Sequence, residues 1–487
     1  MKLKSWFLTC ALLASATQAA ETPPNWSALA IADVEAAYKE TLENHAGMYD
    51  PANPGFAKLL ENARTEGLKL AQRSKSAAGF EASLTRFRAM LDDGHAGAYA
   101  ALPEQFRPNI RWPGFVAAWR GNAMYVYKSA DGGPVAGTQI ISCDGMPIAN
   151  LVKRKVFKFR TGAKIPGEWW SSARLALIDD GNPFVTLPKN CVFKQGNQSE
   201  KRTLKWSPIP EYYGAWRNGS INGDLLPIGM AERAPGIQWI AMPDFQPDDE
   251  GVAAHKKLYA DVDEALPKLQ RSRAIVLDLR YNEGGSSNWS KMLAERLWGK
   301  ARVTEARKAY FAKTQTWWRP TQGNLGEVKQ FVTLLETQGD AETAGLVKMF
   351  IPLFENAIAK KEQYLVEPDV PEDMENEAQE GSAALMTPVY VVVPGQCASA
   401  CLNAIDTFRL FPNTRLIGAP SSADSTYMEV RNPGLPSGMA NAIIPMKMYV
   451  NRPRGNGVYY EPDILMTDFD WSTENFLKKV EADLAAR

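Results

Sequence analysis

Apolar positions recur at helical spacing through the first part of the chain. In Ile31-Ala-Asp-Val-Glu-Ala-Ala-Tyr-Lys-Glu-Thr-Leu they fall three and four residues apart, the period that lays one stripe of a helix on a core. Residues 56–72 and 80–91 carry the same pattern, and Asp50-Pro-Ala-Asn-Pro-Gly marks a turn before them. From residue 111 to about 205 the pattern changes to short strands: 115–119, 123–127, 138–142 and 202–206, with turns at Asp131-Gly-Gly-Pro and Cys143-Asp-Gly-Met-Pro. Beyond a Pro/Gly-rich connector at 207–235, strands and helices alternate. Residues 237–245 read as a strand, 249–269 as a helix, 274–279 as a buried strand, and 289–297 as a helix again. Residues 300–383 read as a polar, helical insertion, in which Trp317 and Trp318 pack and the acidic run 367–380 is a solvated loop. The run 389–393 reads as a buried strand, and helical spacing resumes at Leu402, Ile405 and Phe408. Two more strands are expected, starting at Arg415 and at Ala442. The alternation predicts an α/β class for the second half.

Composition narrows this picture. A chain of 487 residues with 45% hydrophobic and 23% charged residues has room for two or three soluble domains. Its 55 basic and 55 acidic residues balance, which gives no basic surface for nucleic acid or anionic membranes. Only His45, His95 and His255 are present, and no phosphate-loop or paired Cys-x-x-Cys motif occurs, so neither a metal nor an organic cofactor is expected. The N-terminus has the form of a secretory signal peptide over residues 1–20. Lys2 and Lys4 precede an apolar stretch at 6–16, and Thr17-Gln-Ala19-Ala20 offers small residues for cleavage. The apolar part is too short to span a bilayer and no other stretch is long enough, so export to a periplasm or beyond, without membrane insertion, is expected. Removing Cys10 with the signal leaves Cys143, Cys191, Cys397 and Cys401. Cys143 and Cys191 share one expected domain and are the natural pair in an oxidising compartment. Cys397 and Cys401, one helical turn apart, are within bridging reach, and two buried thiols are the other reading.

The candidate chemistry sits at the breaks. Ser399 lies where the strand 389–393, stopped by Pro394 and Gly395, turns into a helix. Free N–H groups and a partial positive charge gather at such a terminus, so a serine there can attack a carbonyl while neighbouring amides hold the oxyanion. Serine is also an ordinary residue at helix starts, with no chemistry implied. His95 follows Asp92-Asp93-Gly94, where glycine can end the preceding helix. A loop histidine is usually a surface residue, and His45 and His255 have the same default reading. Gly284 and Gly285 form a second strand–turn–helix break able to present amides, with Asp278 and Arg280 placed to hold the turn.

Two resemblances join these pieces. Gly137-Thr-Gln-Ile-Ile-Ser-Cys-Asp-Gly-Met-Pro-Ile-Ala-Asn-Leu151 resembles the core of a PDZ domain, which binds a peptide as an added strand. The whole order, from Asp-Gly-His95 through Leu277-Asp-Leu-Arg-Tyr-Asn-Glu-Gly-Gly285 and Ala398-Ser-Ala400 to Gly457-Val-Tyr-Tyr-Glu-Pro-Asp-Ile464, resembles the tail-specific (C-terminal processing) serine protease family. That resemblance implies a crotonase-like α/β catalytic domain at 208–487, a helical N-terminal region at 21–108 and a PDZ-like domain at 109–207. It matches Ser399 to the nucleophile, although Cys401-Leu402 stands where the family has Ser-Glu. No lysine occurs in Ser421-Ser-Ala-Asp-Ser-Thr-Tyr427, where the processing branch keeps its base. The chain is therefore similar to the tricorn-like branch: His95 as base, Ser399 as nucleophile and Glu461 as orienting acid. The N–H groups of Gly284 or Gly285 and of Ala400 would form the oxyanion hole. The implied partner is a protein or peptide substrate; a homo-oligomer is left open. The rival reading is a peptide- or lipid-binding protein on the same scaffold.

Overall fold

The computed structural model describes residues 24–368 and 384–487. The expected signal peptide and nearly all of the acidic run lie outside the described residues. Three helices, Trp26–Asn44, Phe56–Ala71 and Ala77–Leu91, open the chain and pack through Ala30, Val34, Leu60, Ala63, Phe80, Leu84 and Phe87. Their core is shared with Ala440, Ala442 and Ile444 from near the other end of the chain. The strand Gly97–Ala100, which follows the third helix directly, pairs antiparallel with Ala440–Ile443. The N-terminal helices are thereby stitched to the C-terminal half.

His45 and His255 depart from the surface placement expected of them: both are fully buried. His45 stacks on Phe56 at 4.3 Å and its Nδ1 accepts the Gly47 N–H at 2.8 Å, and burial pushes its pKa down to about 3. His255 stacks on Trp289 at 4.5 Å. An uncharged imidazole is flat and aromatic enough to serve as a core residue.

Residues 115–203 form a mixed β unit with a core of its own, built from Phe115, Met124, Ile140, Leu151, Val152 and Phe193 among others. The strand expected at 202–206 lies a little earlier, at Gln198–Thr203, as the second arm of a hairpin with Asn190–Gln195. Cys143 and Cys191 face each other across neighbouring strands and are bridged.

The connector at 207–235 is more ordered than its composition implies. It contains the helix Tyr213–Asn222 and the strand Gly229–Ala234. That strand is the edge of a six-stranded sheet that continues with Ile237–Ala241, Ala274–Asp278, Val389–Val393, Thr414–Gly418 and Ile464–Leu465. The first pair is antiparallel and the remaining neighbours run parallel. The helices Asp249–Leu269 and Ala400–Phe408 supply two of the crossovers. The central strands are buried on both faces, which is why they read as unbroken apolar runs.

The insertion is helical over Gln322–Thr337, Ala341–Lys348 and Phe350–Ala359, but it also carries the strand Gln315–Trp318. That strand adds to Ala440–Val450 in a second sheet. Trp318 packs on Phe354, and Trp317 on Tyr364, as the packing role expected of the pair requires.

Candidate active site

Ser399 sits one residue before the helix Ala400–Phe408 with φ 54° and ψ −121°. A side chain at positive φ is strained, and such strain gathers at functional sites. The turn is boxed in from several sides. Cys397 and Cys401 are bridged across it, so the serine lies inside a closed covalent ring. On the helix, Asn403 accepts from Arg452 and Arg454, and Asp406 accepts from Arg454 and the Tyr460 hydroxyl. These buried contacts fix the helix that carries the serine.

The second turn lies directly against the first. Gly284 has φ 115°, and a Cβ on it would stand 2.9 Å from the Ser399 Cβ and 3.2 Å from the Ala400 nitrogen. Asn282, fully buried, holds this turn: its amide donates to the Met242 carbonyl and its Oδ1 accepts the Gly284 N–H, both at 2.9 Å. The Gly284 N–H is therefore already engaged, a correction to its expected place in an oxyanion hole. Its neighbour Gly285 and Ala400 make no backbone N–H hydrogen bond among the described residues. Asp278 and Arg280 do pair, at 2.7 Å, and Arg280 also bonds the Trp471 carbonyl and Thr473.

Ser399 and His95 open onto one cavity of about 910 Å³. Its wall is drawn from the loop after the third helix, the β unit and both parts of the C-terminal half. His95 is partly buried, and its Nδ1 is enclosed without a hydrogen-bond partner. Asp93 is buried beside it: Oδ1 accepts the backbone N–H of His95 at 2.8 Å, while Oδ2 is enclosed without a hydrogen bond. Burial pushes the Asp93 carboxyl up, and His95 draws it back down. Asp424 lines the same wall and is bound by Arg454. Glu168 reaches in from the β unit and accepts the Ser422 hydroxyl at 2.5 Å, with burial again raising its pKa. The helix Pro166–Ser172 that carries it presses closely on the site; a Cβ on Gly167 would come within 2.3 Å of the Ser421 carbonyl and 2.4 Å of that of Gly395.

Glu461 is not part of this wall. Its side chain is exposed, next to the Tyr459 hydroxyl, because Pro462 holds the local backbone extended along the surface. Sequence reasoning missed Asp93, Asn282 and Glu168. The first two stand within two residues of positions it did single out, and the Asx-type turn Asp93-Gly-His95 was a legible signal. Glu168 had none, since its role arises only when the β unit docks.

Residues 236–464 match peptidase family S41. None of the curated proteins searched matches the chain. Among solved structures, mature CPAF complexed with lactacystin aligns over 94% of this chain and 99% of its own, at 13% identity and a TM-score of 0.64. Mature CPAF alone aligns over 93% of this chain and 96% of its own, at 13% identity and a TM-score of 0.63. Likeness at that identity speaks for the fold: a mixed α/β architecture with a helical N-terminal part. The matched span holds both abutting turns, with Gly284 and with Ser399; over these residues the chain is similar to peptidase family S41, which supports a serine-type peptidase.

Proposed function

We propose that the protein is an exported endopeptidase that cleaves peptide bonds through an acyl-enzyme on Ser399, with His95 as general base. The observation that carries this reading is the strained serine at a helix start, facing one cavity with His95, the only histidine that lines it among the described residues. In this reading His95 takes the Ser399 proton as Oγ attacks the substrate carbonyl, then returns it to the leaving amine. The free N–H groups of Ala400 and Gly285 receive the oxyanion. The parallel sheet with its two abutting turns is read as crotonase-like, and the β unit as PDZ-like, with Glu168 bringing that unit to the site. The signal-peptide pattern at residues 1–20 and the two bridged cysteine pairs support export to an oxidising compartment.

A fluorophosphonate probe tests the nucleophile. Wild-type protein should be labelled and Ser399→Ala should not. Absence of labelling in wild type, both with and without reductant, would return the reading to a binding scaffold.

The group we assign to orient the imidazole is Asp93, in place of the surface-exposed Glu461. Asp93 Oδ2 and His95 Nδ1 are both enclosed without hydrogen bonds, and a carboxylate brought onto that ring nitrogen favours the required tautomer and steadies the imidazolium as it forms. Asp93→Asn should cut kcat by about 10³- to 10⁴-fold. It should also stabilise the fold at neutral pH. The folded state raises the Asp93 pKa above the usual 3.8, so it binds a proton more tightly than the unfolded chain does. Stability from this group is present at acidic pH and falls as pH rises through the raised value. The melting temperature of Asp93→Asn should exceed that of wild type at neutral pH, with the gap closing on acidification. Equal melting curves and full activity would reject the assignment.

A further inference from the structure

Buried polar atoms without partners are not scattered through this protein. Of thirteen such side-chain atoms among the described residues, six line the cavity: Asp93 Oδ2, His95 Nδ1, Arg174 Nε, Asn222 Oδ1, Gln396 Oε1 and Asp424 Oδ2. Asp93 and His95 belong to the chemistry proposed above, and Asp424 is held by Arg454. Arg174 has no such explanation.

Arg174 stands on the short turn Ala173–Leu177 of the β unit. Its Nε is enclosed and unpaired. Tyr213 hydrogen-bonds its side chain, and Arg217 and Arg160 act on it as like charges; no carboxylate is among the groups that act on it. Burial together with the two like charges pushes its pKa down to about 10. Four of the five acids that line the cavity are occupied elsewhere, and the fifth, Glu283, is exposed and acts on Glu168, not on Arg174. Asp92 accepts the Gly162 N–H, Asp93 that of His95, Glu168 the Ser422 hydroxyl, and Asp424 pairs with Arg454. A half-buried guanidinium with an enclosed, unpaired Nε and no carboxylate beside it is costly to keep, and within the fold only Tyr213 engages it. Arginine also presents a planar fork of donors that fits a carboxylate.

We propose that Arg174, with Arg217 and Arg160 beside it, is a subsite for a carboxylate of the substrate, held in the same cavity that presents Ser399. The inference builds on the peptidase reading, which supplies the substrate, but its binding test does not need turnover. The carboxylate can come from an acidic side chain or from a free C-terminus; the chemistry recognised is the same.

The test uses full-length mature protein carrying Ser399→Ala and four fluorescein-labelled hexapeptide pools, read by anisotropy. The pools have glutamate or glutamine at one fixed position, each made as free acid and as C-terminal amide. A preference of about tenfold or more is expected for one carboxylate-bearing pool over its neutral counterpart, and Arg174→Gln should abolish it. Glutamate over glutamine would identify a side-chain carboxylate, and acid over amide a C-terminus. The Arg174→Gln variant should melt no lower than its parent, because it removes an uncompensated, half-buried charge. The proposal is overturned if all four pools bind equally or not at all, if the preference survives Arg174→Gln, or if that variant melts clearly lower. Failure of the peptidase reading would show separately, as an unlabelled wild type whose pools are still discriminated.

Discussion

Ser399→Ala and His95→Ala are each expected to lower kcat by about 10⁴-fold or more while leaving the fold intact. Neither side chain holds the structure together. Ser399 Oγ makes no hydrogen bond among the described residues, and the His95 ring leaves Nδ1 unpaired. Serine and base act as one unit, so the double variant should be scarcely slower than either single one. Circular dichroism and melting curves matched to wild type, beside steady-state kinetics on a peptide substrate, make the check. Full activity in either single variant would remove that residue from the mechanism.

Gly284→Ala is expected to disable the site while leaving the fold in place. The new Cβ would lie 2.9 Å from the Ser399 Cβ and from the Ala398 carbonyl oxygen, and 3.2 Å from the Ala400 nitrogen. Backbone surrounds it on two of three sides, and φ 115° is strained for any L side chain. Relief requires the two turns to separate, which moves the serine and the Ala400 N–H together. Loss of one oxyanion donor alone typically costs about 3 kcal/mol in the barrier, or about 10²-fold in rate. With the serine displaced as well, a fall of about 10³-fold in kcat is expected. The variant should still fold, since the clash lies at a surface-facing cavity and not in the sheet. Unchanged kcat in a folded Gly284→Ala protein would show that the two turns do not act together.

Much of the sheet was legible because its strands are short apolar runs ended by Pro-Gly or Gly-Gly. Val389–Val393 and Ala274–Asp278 need nothing more than burial on both faces to form, and the helices after them follow from spacing. The strand Gln315–Trp318 was hidden inside a helical reading. It is an added strand whose partners come from residues 365–366 and 447–450, so no local pattern marks it. The candidate site divides in the same way. Ser399, His95 and the glycines stand at chain breaks, where unusual backbone is visible in residue type. Glu168 and Arg174 come from the β unit and gain meaning only from docking. Glu461 shows the converse: a motif in the right order can still place its side chain in solvent.

The pairing of Gly97–Ala100 with Ala440–Ile443 carries one more consequence. The histidine two residues before the first strand is seated by a stretch synthesised close to the end, and the serine also comes late. A chain emerging from the ribosome thus lacks the strand that seats residue 95 until nearly all of it has been made. On the proposed mechanism, a product truncated before residue 440 is expected to be inactive. The topology itself acts as a safety catch, released by completion of the chain.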